Sequence, residues 1–159
     1  MRVFDAGNHR KPGASSDRLG IIAGRWHNYI VDSLLQGALD TAAAHGFVDA
    51  DIDIVQAPGA YEMPLVAQAL LARGGYAAVV ALGVVIRGET PHFDYVAGEC
   101  ARGLAEVSRN TGVPVGFGLL TVNDVEQALA RAQEGDSNKG REAMLAALEV
   151  AGLIEQFKA

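Results

Sequence analysis

The feature that most constrains this chain is a run of apolar residues that stops abruptly. Ala77 to Ile86 reads as one strand, and its second half, Ala81–Ile86, has the β-branched content and length of a strand buried on both faces. It breaks into the polar turn Arg87-Gly88-Glu89-Thr90-Pro91-His92, and from about Phe93 the pattern becomes helical. A strand buried on both faces belongs to a sheet covered by helices on each side. A strand that ends in a polar turn and feeds a helix is where such proteins put ligands, at the carboxyl edge of the sheet. Gly88 lets a backbone approach a ligand closely, and the N–H groups that follow, with Thr90, suit an anion. His92 is the side chain of this turn that exchanges protons near neutral pH, although a first-turn helix residue at the surface explains it as well.

The rest of the chain repeats the alternation. Leu19–Gly24 reads as a strand and Tyr29–His45 as a helix, with Ile30, Val31, Leu34, Leu35, Ala38, Leu39 and Ala42 on one face. Asn28 is the expected N-cap and Gly46 the stop. Asp51–Gln56 alternates as a strand with one wetter face, and Met63–Ala72 is a helix that takes Pro64 in its first turn. A helix to Arg109 and a strand at Val113–Val122 follow. Asn123 and Glu126 resemble a capping box for a helix to Gln133, and a last helix spans about Asn138–Phe157. Strands alternating with helices predict parallel pairing through right-handed crossovers. The expected fold is therefore an α/β three-layer αβα sandwich on a parallel four-stranded sheet, with a flavodoxin-like strand order as the natural guess. The alanine-rich faces of the first and last helices fit an oligomer interface or a tight monomer core equally.

Composition narrows the function. At 159 residues the chain has room for one domain with a real core. Residues 1–18, rich in Gly, Pro, Ser and mixed charge, read as a flexible arm, and 19–159 as a single domain. A formal net charge of −6 argues against nucleic acid or an anionic membrane as the main partner, while local Arg and Lys leave an anionic substrate open. No apolar stretch approaches the ~20 residues of a membrane span, and the N-terminus lacks the apolar core of a signal peptide. The single cysteine, Cys100, sits in a predicted helix as a small packed side chain, and with no intrachain disulfide available the expected home is a reducing cytoplasm. Metal-ligand spacing, a Walker loop, a dinucleotide fingerprint and a nucleophile elbow are all missing.

Four loops should meet at the carboxyl edge: Arg25–Asn28, Ala57–Glu62, Arg87–His92 and Thr121–Asp124. Trp26, the single tryptophan, can stack on a planar heterocycle or cap the sheet. Gly59 and Ala60 expose backbone to a polyhydroxylated ligand. Glu62 can accept from hydroxyls or simply complement a helix dipole. Arg131 and Lys139 read by themselves as surface charge.

Together the loops resemble the lumazine synthase family. The resemblance runs from about Leu19 to the C-terminus through RWHNYIVDSLLQGA (25–38), APGAYEMPL (57–65), ALGVVIRGETPHFDYV (81–96), FGLLTVNDVEQALAR (117–131) and NKG (138–140). It implies condensation of 5-amino-6-(D-ribitylamino)uracil with 3,4-dihydroxy-2-butanone 4-phosphate, releasing phosphate and water, with neither metal nor organic cofactor. By motif, Trp26 takes the position that stacks on the pyrimidine. Gly59, Ala60, Tyr61 and Glu62 line the ribityl chain, and Val85 and Ile86 offer backbone hydrogen bonds to the heterocycle. Gly88, Glu89 and Thr90 match the phosphate turn, and His92 the proton-transfer residue. Phe117, Arg131 and Lys139 match positions that a neighbouring subunit supplies as ring wall, phosphate clamp and pyrimidine contact. The family assembles as pentamers, decamers or sixty-subunit shells, with Pro12 and the Gln133–Ser137 turn as places to influence that choice. A lumazine or riboflavin binder without catalysis, and a flavodoxin-like electron carrier, are the competing expectations. The His92, Arg131 and Lys139 set favours the enzyme over both.

Overall fold

A computed structural model describes residues 1–6 and 17–158. The sequence expectations for Pro12 and for most of the 1–18 arm lie outside the described residues.

Four strands, β1 (Arg18–Gly24), β2 (Ile52–Ala57), β3 (Tyr76–Ile86) and β4 (Val115–Val122), alternate with helices α1 (Asn28–Ala44), α2 (Met63–Leu71) and α3 (His92–Thr111). Helices α4 (Val125–Ala132) and α5 (Lys139–Lys158) complete the described chain. All pairings are parallel, in the order β2-β1-β3-β4. This is the expected flavodoxin-like arrangement. The connections change direction after β2, so α1 covers one face with α4 and α5, while α2 and α3 cover the other.

Alternation along the strands fills both cores. Leu19 and Ile21 of β1 and Ala78, Val80 and Leu82 of β3 pack toward α1 and α5, whereas Ile22, Val79 and Ala81 pack toward α2 and α3. Cys100 is fully buried on the α3 side, and burial pushes its thiol pKa up to about 12, which makes it a packing residue.

The alanine-rich helices turn out to serve the monomer core, because α1 and α5 lie against each other. A Cβ at Gly140 would run into the carbonyl of Leu34, and one at Gly37 into the amide of Asn138. Asn138 is buried at this crossing. Its Nδ2 donates to the carbonyls of Ser33 (3.1 Å) and Ala132 (2.9 Å), and its Oδ1 caps α5 by accepting from Arg141 N at 3.0 Å.

Some local expectations move. The N-cap of α1 is His27, not Asn28, and it holds a left-handed conformation (φ 55°, ψ 49°) with no side-chain cap bond. His27 is also half-buried. The cap of α4 is Asp124, which accepts from Gln127 N at 2.8 Å, while Gln127 Oε1 accepts from Asn123 N at 2.8 Å. The reciprocal pattern is therefore real but uses Gln127 in place of Glu126. Gly46 stops α1 as expected, at φ 91°. On β2, an edge strand, the wetter side is mixed, with the apolar Ile54 left 49% exposed beside the exposed Gln56.

At the amino edge, Arg18 opens β1 and makes a two-point ion pair with Asp53 of β2 (2.8 and 2.6 Å). Tyr76, opening β3, donates to the same carboxylate at 2.6 Å. Three strands are thus tied at the end away from the loops.

Candidate functional site

In an open parallel sheet the crevice forms where two neighbouring strands send their chains to opposite faces. Here that point lies between β1, which feeds α1, and β3, which feeds α3 on the other face. The loop after β1 carries Trp26 and the loop after β3 carries Gly88 to His92, so two of the motif loops flank the switch point.

Trp26 is 71% exposed and stands directly after β1. Arg25 N donates to Ala57 O at 3.1 Å, which binds this loop to the end of β2. Gly59 then sits under the indole, where a Cβ would lie 3.3 Å from Trp26 Cδ1 and 3.2 Å from Glu62 Oε2. The glycine is what lets ring and carboxylate close on one point. Ala60 is buried in a 3-10 turn, Tyr61 is exposed, and Glu62 is the exposed N-cap of α2.

β3 outruns β1. Their register ends at Ala23 opposite Leu82, while β4 continues alongside β3 to Ile86. On the β1 flank, therefore, alternate backbone N–H and C=O groups from Val84 to Ile86 have no strand partner among the described residues, and both Val85 and Ile86 are half-buried there. Past Ile86, Arg87 N adds one more bond to Val122 O at 2.9 Å. The exposed turn that follows keeps its backbone free: among the described residues, the N–H groups of Gly88, Glu89 and Thr90 have no protein acceptor. A Cβ at Gly88 would meet nothing within 4 Å, so the fold itself does not demand glycine there. His92 is the exposed first residue of α3, one position earlier than the periodicity suggests, and its N–H donates to Thr90 Oγ1 at 3.4 Å.

The remaining three residues are elsewhere in the chain. Phe117 is 47% exposed on edge strand β4, opposite Ala81. Val122 is five steps further along the strand, which at about 3.3 Å each puts Phe117 roughly 16 Å below the carboxyl edge. Arg131 lies in the last turn of α4 and donates to Gln127 O at 2.9 Å. Lys139 opens α5 and pairs with Glu142 at 2.7 Å. Among the described residues, none of the three is hydrogen-bonded to these loops of its own chain, and α4 and α5 belong to the face opposite α2 and α3.

Two contributors have little sequence signal. His27 gives no sign of a positive φ beyond the mild preference of His for that region. Arg87 is visible in the turn, but nothing in its spacing reveals where its side chain goes.

Fold and loops define a doubly wound, flavodoxin-like α/β protein whose motif loops after β1 and β3 flank its switch point. Residues 16–155 match the family model described as 6,7-dimethyl-8-ribityllumazine synthase, and the chain belongs to that family. It is a transferase of riboflavin biosynthesis that joins 5-amino-6-(D-ribitylamino)uracil to 3,4-dihydroxy-2-butanone 4-phosphate, with release of phosphate and water. Membership carries small-molecule substrate binding and oligomeric assembly with it. Among the described residues, no helix is long and apolar enough to cross a membrane.

Proposed function

We propose that the reaction takes place in a site shared between two copies of this chain, in a pentameric ring. One copy gives Trp26, Gly59–Glu62, Val85, Ile86, Gly88–Thr90 and His92, and its neighbour gives Phe117, Arg131 and Lys139. The observation that carries this is the division within a single chain. The first set lies on the loops after β1, β2 and β3 and at the end of β3, while Phe117 is on edge strand β4 and Arg131 on the helix that follows it. Exposed apolar residues on both edges, Ile54 on β2 and Phe117 and Leu129 on the β4 side, support a head-to-tail contact, the kind that closes into rings.

Trp26 stacks on the pyrimidine, Glu62 accepts from ribityl hydroxyls, and the open backbone of Val85 and Ile86 pairs with the heterocycle. The N–H groups of Gly88, Glu89 and Thr90 cradle the phosphate at the start of α3, with the Glu89 side chain turned outward, and Arg131 closes over it with a permanently charged fork. Lys139 contacts the pyrimidine and Phe117 walls its ring. The substrate amine attacks the butanone carbonyl, so no protein nucleophile is required. Dehydration of the carbinolamine, loss of phosphate and ring closure each move protons, which His92 relays. Holding both reactants in register is the larger contribution.

We further propose one catalytic domain over residues 19–159 and a cytoplasmic location, which the single cysteine supports. The test is to mix purified protein with both substrates and follow the fluorescent lumazine. Acceleration over the uncatalysed rate, lost in Arg131→Ala, supports the proposal. Acceleration unchanged in that variant removes the clamp from it.

A further inference from the structure

We propose that Arg87, which has no place in the chemistry above, is a positioning residue that holds the phosphate turn in its anion-ready shape. The inference rests on Gly88–Thr90 being the phosphate cradle. Three adjacent N–H groups bind an anion well only if they already point the same way, because ordering them on binding costs affinity. Yet the turn has little of its own to fix it. Its internal bonds are local: His92 N to Thr90 Oγ1 at 3.4 Å and Asp94 N to Pro91 O at 3.0 Å.

Arg87 is the residue of this segment whose side chain reaches outside it. The guanidinium lies 4.4 Å from the centroid of Phe93, in the first turn of α3. Nη2 approaches Asp94 Oδ1 at 3.4 Å, and Nε donates to Asn123 Oδ1 at 3.3 Å, across in the loop after β4. The turn thus leaves Arg87 and returns under the same side chain two residues into the helix. Asn123 is itself anchored, because its N–H is held by Gln127 Oε1. One planar cation makes the aromatic contact and both polar contacts together, which a lysine ammonium cannot do. The same cation pairs with Asp94, the acid in the first turn of the helix that follows the cradle.

Three variants, Arg87→Ala, Arg87→Lys and Asn123→Ala, test this against wild type. The readouts are the dissociation constant of inorganic phosphate and the KM of each substrate. Arg87→Ala should weaken phosphate and raise the butanone phosphate KM by about tenfold, the scale of one charge-assisted contact, with the pyrimidine KM within about twofold. Arg87→Lys should resemble Arg87→Ala, and Asn123→Ala should give a smaller loss of about threefold with the same selectivity. A merely structural role would move both KM values together. Unchanged phosphate affinity in Arg87→Ala overturns the inference, as does full rescue by lysine, which would leave only a charge effect. If Arg87→Ala does not fold, unchanged phosphate affinity in Asn123→Ala overturns it instead. A wild-type protein that neither binds phosphate nor forms lumazine defeats the cradle reading itself, an outcome distinct from all of these.

Discussion

Gly59 leaves no free space beneath the ring of Trp26: a Cβ there would stand 3.3 Å from Cδ1 and 3.4 Å from Nε1 of the indole. A methyl group at that point must push the ring, the Glu62 carboxylate, or both. Gly59→Ala should therefore weaken a ribityl-pyrimidine analogue by about tenfold, or ~1.4 kcal/mol, while Tm stays nearly constant because the ring is solvent-exposed. The chain has a single tryptophan, so quenching of its fluorescence reports directly on the site. Wild-type affinity in Gly59→Ala would separate Trp26 from the pyrimidine.

His92 and Arg131 should fail in different ways. His92→Ala loses proton relay, and kcat should fall about a hundredfold, the lower end for general acid–base catalysis, with both KM values little changed. Arg131→Ala removes a charged fork from a dianion, and the butanone phosphate KM should rise about thirtyfold or more. Steady-state kinetics with each substrate varied in turn checks both. Equal loss of kcat in the two variants would mean that the assigned roles are wrong.

The three-strand tie at the amino edge gives a pH dependence. Hydrogen bonds from Arg18 and then Tyr76 lower the Asp53 carboxyl from 3.8 to about 2. A carboxyl whose pKa is depressed in the folded state adds stability that is complete above 3.8 and is lost as pH falls toward about 2. Asp53→Asn should cost about 1 kcal/mol at pH 7, at the low end for charged hydrogen bonds because the Arg18 side chain is 41% exposed. Denaturant midpoints should show the gap between wild type and variant closing between pH 4 and 2. A gap that stays constant over that interval would contradict the assignment.

The α1–α5 crossing should be the most fragile point of the fold outside the strands. Gly140→Ala places a methyl group against the Leu34 carbonyl, backbone that has nowhere to retreat, and should cost about 2–4 kcal/mol. Asn138→Ala strips the α5 cap and its donations to Ser33 and Ala132, with a loss of similar size. Thermal unfolding of both variants measures this, and Tm values equal to wild type would show that the helices part without penalty.

Much of the architecture was legible because each strand and helix announces its own period. The double-sided burial of β3 was written in the run Ala81–Ile86 and holds as far as Val84, with Val85 and Ile86 half-buried at the carboxyl edge, and the stop at Gly46 was written in one residue. What stayed hidden depends on tertiary contacts. His27 takes the left-handed cap because the chain must turn from β1 into α1 at once, a demand that no local pattern expresses. Asp124 and Gln127 replaced Asn123 and Glu126 because helix registers differing by one residue have similar capping chemistry, and packing of Ala128 and Ala132 selects one. The alanine stripes of α1 and α5 could not name their partner from sequence, since close approach looks the same within a chain and between chains. For the site, Trp26, Gly59 and Glu62 come together in one chain, and the turn after β3 opens on the other flank of the same switch point. Phe117, Arg131 and Lys139 do not, and only the resemblance assigned them to a neighbour.

The measurement that bears most directly on a shared site is complementation. His92→Ala and Arg131→Ala chains are prepared separately, mixed in equal amounts, dissociated and reassembled, and assayed for lumazine formation. If His92 and Arg131 meet only across an interface, about a quarter of the interfaces in random rings pair an intact His92 with an intact Arg131. Activity should then recover to about that fraction of wild type, well above the sum of the two variants alone. Mixed assemblies no more active than that sum would place both residues in the site of one chain and contradict the shared arrangement.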